Sequence, residues 1–98
     1  MRQYEITLVF RADMEEAARN ELLERVQALI PLVDDESVAQ PTVDHWGKRE
    51  LAYPIKKQKD GYYIFIEGVM DGDGLDEFER NVLYEEDVLR HLVIRAEE

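Results

Sequence analysis

Few side chains in this sequence are placed for catalysis or metal binding. The chain has no cysteine, Ser37 is its only serine, and its two histidines, His45 and His91, have no second ligand at a matched spacing. A thiolate nucleophile is therefore excluded, and no usual zinc motif is encoded. An Asp-Gly-Asp-Gly run begins at Asp71, but Leu and Val occupy its fifth and twelfth positions, where a calcium loop needs oxygen ligands. We expect no enzyme activity, no metal and no cofactor.

A second group of side chains that could have a chemical role consists of basic residues. Five of the twelve Lys and Arg residues fall within twelve positions that contain one acid; the five are Lys48, Arg49, Lys56, Lys57 and Lys59. The local charge of +4 contrasts with a formal net charge of −11 for the whole chain. Such a run is often a solvated loop, and its functional interpretation is a surface that binds phosphate groups.

Length and composition limit the kind of protein that positions these residues. The 98 residues predict a single domain over 1–98, and the hydrophobic fraction of 45% is high enough for a folded core. No run approaches the roughly 20 apolar residues that cross a bilayer, and the N-terminus is too polar for a signal peptide. These features predict a cytoplasmic protein with neither a membrane nor a small-molecule substrate as its partner.

The first 31 residues predict a strand and a helix. Residues 4–10 alternate apolar and polar side chains, which is typical of a half-buried strand. Asp13 and Glu16 have the spacing of a capping box, and Pro31 ends the helix that follows. Ala18, Leu22, Val26, Leu29 and Ile30 form the predicted apolar face of that helix.

The remainder predicts three strands and a second helix. A long strand over 37–55 should lie at a sheet edge because of Pro41 and should contain a bulge or bend near Gly47. A turn over 56–61, a strand over 62–70, a short helix capped by Asp71 and a last strand over 88–95 follow. The order β-α-β-β-α-β predicts an α+β, ferredoxin-like fold, in which two helices cover one face of a four-stranded antiparallel sheet.

This fold also occurs in RNA-binding modules that stack bases on an open sheet face. The third strand matches the signature of those modules at Gly61 and Tyr62 only. Its parity places Glu67 on the open face, where Glu5 is also expected, and two acids there would repel an RNA strand. Tyr63 and Phe65 are therefore expected to pack or to contact a partner.

Four collinear segments resemble one known family. Residues 46–57 read Trp-Gly-Lys-Arg-Glu-Leu-Ala-Tyr-Pro-Ile-Lys-Lys. This stretch closely resembles the central signature of the bacterial small-subunit ribosomal protein six family. The opening residues 1–5, the Gly-Tyr-Tyr start of the third strand and residues 87–93 also resemble that family, in the same order.

The resemblance implies a structural protein of the small ribosomal subunit. It implies binding to the central domain of 16S ribosomal RNA together with small-subunit protein eighteen. The RNA-binding residues that it implies are Arg2, Lys48, Arg49, Lys56, Lys57 and Arg90. On the edge strand, it implies that Asp44, His45 and Trp46 contact the partner protein.

Each residue role has a structural alternative. Trp46 is equally suited to cover the edge of the core, and Tyr53 and Pro54 are expected to pack at the strand end. Arg49 shares its parity with Leu51 and Tyr53, which are expected on the core side, so it reaches RNA only beyond the helices or through a bulge. Tyr84 stands where many family members have a basic residue.

Two other classes of function share the fold. A small-ligand-binding regulatory domain would need a glycine-lined loop after the first strand, and residues 11–13 contain no glycine. A small phosphate-ester or acyl-phosphate hydrolase would need an anion cradle in the same loop, for which Arg11 beside Asp13 is the available group.

Overall fold

A computed structural model describes residues 2–96, and its elements follow the predicted order. They are β1 (Arg2–Arg11), α1 (Glu16–Ala28), β2 (Thr42–Ile55), β3 (Gln58–Met70), α2 (Leu75–Val82) and β4 (Val88–Arg95), with a short 3₁₀ helix at Gly72–Gly74 before α2. The predicted fold class is confirmed. Neither helix within residues 2–96 is long and apolar enough to span a bilayer.

The four strands form one antiparallel sheet in the order β2-β3-β1-β4. β2 lies at an edge, as Pro41 predicts, but it begins at Thr42 and is shorter than the predicted strand over 37–55. Proline has no backbone N–H to donate to a sheet, so the ladder begins after it. β3 begins at Gln58 instead of 62, because the turn before it consists of Lys56 and Lys57 alone.

Both helices pack on the same face of the sheet. The core is formed by alternate side chains of the central strands and by one side of each helix, chiefly Ile6, Leu8, Phe10, Leu22, Val26, Ile64, Ile66, Phe78 and Val82. Among residues 2–96, no helix covers the opposite surface of the sheet. We call this surface the open face, and its central rows are formed by Thr7, Val9, Asp44, Trp46, Tyr63, Phe65, Arg90 and Leu92.

The beginning of α1 differs from the prediction. Glu15 is the N-cap residue and makes no side-chain capping hydrogen bond. The carboxylate of Asp13 instead accepts two hydrogen bonds of 3.3 Å from the guanidinium of Arg11. Because α1 begins at Glu16, Asp13 lies two residues before the N-cap, and the capping box does not form. Ala18 is exposed rather than on the buried side of the helix.

The turn before α2 agrees with its prediction. The carboxylate of Asp71 accepts a hydrogen bond of 3.0 Å from the backbone N–H of Asp73. The aspartates of this run therefore have a structural role at the start of the 3₁₀ helix. Leu75, Phe78 and Val82 are buried on one side of α2, as their spacing predicts.

One close contact on the open face yields a test of the packing. A Cβ atom at Gly61 would overlap Cγ1 of Val9, a residue only 3% exposed. We expect Gly61→Ala to lower the free energy of unfolding by roughly 1–3 kcal/mol. In Val9→Ala the overlapping methyl is removed, so the double variant should lose less stability than the two single losses together. Denaturant unfolding measures the free energy of unfolding of the unchanged chain, the two single variants and the double variant. Strictly additive losses of stability would show that the two side chains do not overlap.

Candidate functional site

A bulge in β2 decides which basic and aromatic side chains share a surface. His45 pairs with Ile64 and Gly47 pairs with Tyr63, so Trp46 is an extra residue in the ladder. Gly47 has a φ of +86°, a conformation that glycine adopts without steric strain. The bulge predicted near Gly47 is therefore confirmed. Because side chains alternate along a strand, this inserted residue exchanges the faces of the residues that follow it, up to a second register shift between Glu50 and Ile55.

The exchange brings Arg49 onto the open-face side of the sheet, opposite Gly61. Leu51 follows it there, and its Cδ2 lies 3.2 Å from where a Cβ of Gly61 would be. The expectation that Leu51 and Tyr53 lie on the core side is wrong. Tyr53 is 58% exposed and Pro54 is exposed as well, so neither packs at the strand end as expected.

Aromatic side chains cover the half of the open face nearest β2. The indole of Trp46 stacks on the ring of Phe65, with 5.4 Å between centroids and an interplanar angle of 16°. Its Nε1 donates a hydrogen bond of 3.3 Å to the carboxylate of Asp44. Trp46 is 45% exposed, and Leu92 on β4 is 49% exposed. Trp46 thus lies on the open face and does not close the core beneath the helices.

A shallow depression lies beside these rings. It has a volume of about 360 Å³ and is lined by Trp46, Arg49, Glu50 and Tyr63. The guanidinium carbon of Arg49 is 5.9 Å from the centroid of the Trp46 ring, at the outer limit of a cation–π contact. The depression combines an apolar wall with one basic and one acidic side chain, Arg49 and Glu50, which suits an aromatic or polar side chain of a partner.

His45 lies on the other face of the sheet, toward the helices. Its Nδ1 is 2.9 Å from the hydroxyl oxygen of Tyr62, and the guanidinium of Arg19 on α1 lies 4.0 Å from the Tyr62 ring centroid. The proposed group of Asp44, His45 and Trp46 therefore does not form one surface. Successive residues of a strand point to opposite faces, and the bulge begins only after His45.

The tip of the β2–β3 hairpin consists of two lysines. Lys56 and Lys57 are exposed and have φ values of +49° and +68°. Two-residue turns of this kind are normally Asn-Gly, because positive φ is unfavourable for a residue with a Cβ atom. The ammonium of Lys56 donates a hydrogen bond of 3.3 Å to the backbone carbonyl of Glu86, which ties the tip to the loop between α2 and β4.

The other basic residues do not form one stripe. Arg90 lies on the open face opposite Val9, whereas Lys48 has the opposite parity and its ammonium is 4.0 Å from a carboxylate oxygen of Asp60. Arg2 lies at the far end of β1, nine residues and about 30 Å from the hairpin end of that strand. The structure thus separates Arg2 and Lys48 from Arg49, Arg90 and the hairpin tip.

The predicted site residues did not include Lys59 or Tyr53, both of which line a depression on the hairpin. Lys59 lines a second depression of about 330 Å³ with Leu51, Tyr53 and Pro54. Lys59 belongs to the basic run. Its alternation with Gly61 along the strand was the sequence signal that could have identified it as a site residue. The exposure of Tyr53 had no signal in the sequence, because Tyr53 lies in the second irregular stretch of β2, between Glu50 and Ile55.

Arg11 is engaged by acids. Its guanidinium binds Asp13, and a second nitrogen is 3.8 Å from the carboxylate of Asp87. The hydrogen bond to Asp13 raises the pKa of Arg11. These carboxylates occupy the place where the hydrolase alternative needs a free anion cradle. Within residues 2–96, no group of three or more His, Cys, Asp or Glu side chains is arranged to hold a metal ion.

Comparison with known proteins decides the family. A family model described as ribosomal protein S6 matches residues 3–95. The chain belongs to the ribosomal protein S6 family. The small ribosomal subunit protein bS6 of Alkaliphilus metalliredigens is 36% identical over 98 residues, which cover 100% of both chains. The protein of the same name from Alkaliphilus oremlandii is 35% identical over 97 residues and 99% of both chains.

A solved structure supports the same assignment. The crystal structure of 30S ribosomal protein S6 from Thermotoga maritima superposes with a TM-score of 0.78 and 28% identity, covering 96% of this chain and 86% of that one. Membership of the ribosomal protein S6 family makes the chain a protein of the small ribosomal subunit. The family is one of structural ribosomal proteins and is not a known enzyme family.

The strained hairpin tip predicts a gain in stability on substitution. Lys57→Gly should raise the free energy of unfolding by about 0.5–1 kcal/mol, because glycine adopts the required positive φ without a steric penalty. Lys59→Gly, two residues away within β3, is the matched control and should lower stability, because glycine weakens a strand interior. Denaturant unfolding distinguishes the two. A loss of stability in Lys57→Gly would show that the turn is not strained.

Proposed function

We propose that this chain binds the central domain of 16S ribosomal RNA in the cytoplasm, as a structural protein and jointly with small-subunit protein eighteen. The observation that carries the proposal is that the β2–β3 hairpin presents two different surfaces. One is the lysine hairpin tip, Lys56 and Lys57, and the other is the apolar open face around Trp46. The lysine tip suits the binding of phosphate groups, and the apolar open face suits contact with a protein.

The hairpin tip is proposed as the principal RNA contact. Strained backbone persists at functional sites, where the surrounding structure holds it and function maintains it. Asparagine and glycine would relieve the strain at Lys56 and Lys57 but would remove both charges. Lysine at these positions is therefore explained by a need for ammonium groups at the most protruding point of the hairpin, where phosphate oxygens can approach from several directions.

The other predicted RNA-binding residues are proposed to contribute to RNA binding to different extents. Arg49 and Arg90 lie at the margin of the open face and suit contacts where RNA and the partner protein meet. Lys48 reaches RNA only from the helix side of the hairpin, and Arg2 only from the distant end of β1. We therefore propose weaker contributions from these last two residues.

The partner contact is proposed for the open face. Asp44 and Trp46 lie together there, and the exposed rings and aliphatic side chains provide the apolar centre that protein interfaces require. His45 is removed from the direct contact by its position toward Tyr62. Covering this face with a basic protein would also offset the formal charge of −11, which opposes RNA binding by the chain alone.

The charge argument predicts that tight RNA binding needs the partner. The isolated chain and its complex with protein eighteen should be titrated onto a central-domain junction RNA at about 0.15 M salt. We expect tight binding only for the complex. Equally tight binding by the isolated chain would overturn the joint mechanism, and no binding by either would overturn the proposed function.

The same assay tests the hairpin tip. In the complex, Lys57→Gly should bind RNA more weakly although it is the more stable protein, and its salt slope should fall by a little under one unit. Arg80→Ala, an exposed position on α2, is the control and should leave the slope unchanged. Altered bases in the contacted RNA should not change the relative loss. An unchanged salt slope in Lys57→Gly would remove the tip from the interface.

The partner surface is tested without RNA. Trp46→Ala should weaken binding to protein eighteen by more than about tenfold, as expected for a central aromatic anchor. His45→Ala, the neighbouring residue on the opposite face, should change the affinity by less than about threefold. Calorimetry or surface plasmon resonance measures both, and circular dichroism controls for folding. The reverse ranking would place the partner on the helix side of β2.

A further inference from the structure

The loop between α2 and β4 carries two highly exposed apolar side chains. Leu83 is 72% exposed and Tyr84 is 77% exposed, the highest values among the large hydrophobic residues of 2–96. The backbone beneath them is ordered by hydrogen bonds. The N–H of Tyr84 donates to the carbonyl of Asn81 at 3.1 Å, and the N–H of Glu85 donates to that of Val82 at 3.0 Å. The tyrosine therefore projects from a well-defined turn.

This loop is continuous with the hairpin tip. The ammonium of Lys56 binds the carbonyl oxygen of Glu86, two residues after Tyr84. The two segments come from distant parts of the sequence and meet at the end of the sheet where β1 finishes, since the N–H of Arg11 donates to the carbonyl of Asp87. An exposed aromatic residue and two exposed lysines thus occupy one end of the molecule.

The acidic residues of the loop are largely compensated. The guanidinium of Arg25 on α1 makes two hydrogen bonds, of 3.1 and 3.2 Å, with the carboxylate of Glu85. Asp87 is paired with Arg11. Two of the three consecutive acids therefore face arginines, and their repulsion of a nearby phosphate is reduced. Because Arg11 is shared between Asp87 and Asp13, two acids of this end remain uncompensated, and Lys56 and Lys57 balance them, so that no excess of negative charge lies beside Tyr84.

We propose that the ring of Tyr84 is a stacking platform for an unpaired RNA base, whose neighbouring phosphates lie on Lys56 and Lys57. The inference rests on the proposed function and adds to it a base contact outside the basic run. Every base has a π-face, so a tyrosine ring beside cationic groups binds an unpaired nucleotide with little sequence preference.

Stacking distinguishes Tyr84 from a residue that acts through charge or simple apolar contact. With protein eighteen present and the central-domain junction RNA as probe, Tyr84→Ala and Tyr84→Leu should each weaken RNA binding by roughly 5- to 100-fold. Tyr84→Phe keeps the ring and should stay within about twofold of the unchanged protein. The salt slope should be the same in all three variants, because no counterion contact is removed.

The possible results separate this inference from the proposed function. If the unchanged chain with its partner does not bind the RNA, both are overturned. If it binds and Tyr84→Ala binds equally well, only the stacking platform is overturned. Retained affinity in Tyr84→Leu, or a loss that appears in binding to protein eighteen without RNA, would mean an apolar protein contact and would also overturn it. Thermal unfolding should be unchanged in every variant, because Tyr84 is exposed.

Discussion

The surface that contains Trp46 and Arg49 depends on a single extra residue in the edge strand β2. With Trp46 and Gly47 both opposite Tyr63, the strand changes the face on which its later side chains lie. Without the insertion, Arg49 would point toward the helices. The bulge is therefore what gathers an arginine and a tryptophan at the same depression, and glycine makes it possible by tolerating a positive φ.

Most of the fold was predictable, because hydrophobic periodicity and residues such as proline determine helices and strands through neighbouring residues in the sequence. The alternation in β1, the spacing of Leu75, Phe78 and Val82, and the edge position imposed by Pro41 all agree with the structure. The predictions failed where two nearby options competed. The capping box at Asp13 was replaced by a contact with Arg11, a choice between two local partners that spacing alone does not resolve.

The candidate site was less predictable, because its geometry depends on register. A bulge near Gly47 was foreseen, but which residue would be duplicated was not, and that determines the faces of Arg49 and Leu51. Likewise, nothing in the sequence indicates that Lys56 and Lys57 both adopt positive φ, since lysine rarely has that backbone conformation. The contact between Lys56 and Glu86 joins segments 30 residues apart and needs the folded chain.

The exposed edge of the sheet has a consequence for copies of the chain that are waiting for assembly. A 14-residue edge strand offers unpaired backbone groups along which a second chain can add. Here Pro41 stands immediately before the strand, the bulge at Gly47 breaks its regular repeat, and charged side chains follow. These are the features by which natural sheets resist edge-to-edge addition. The insertion that arranges the site therefore also limits polymerisation of the unassembled protein through β2.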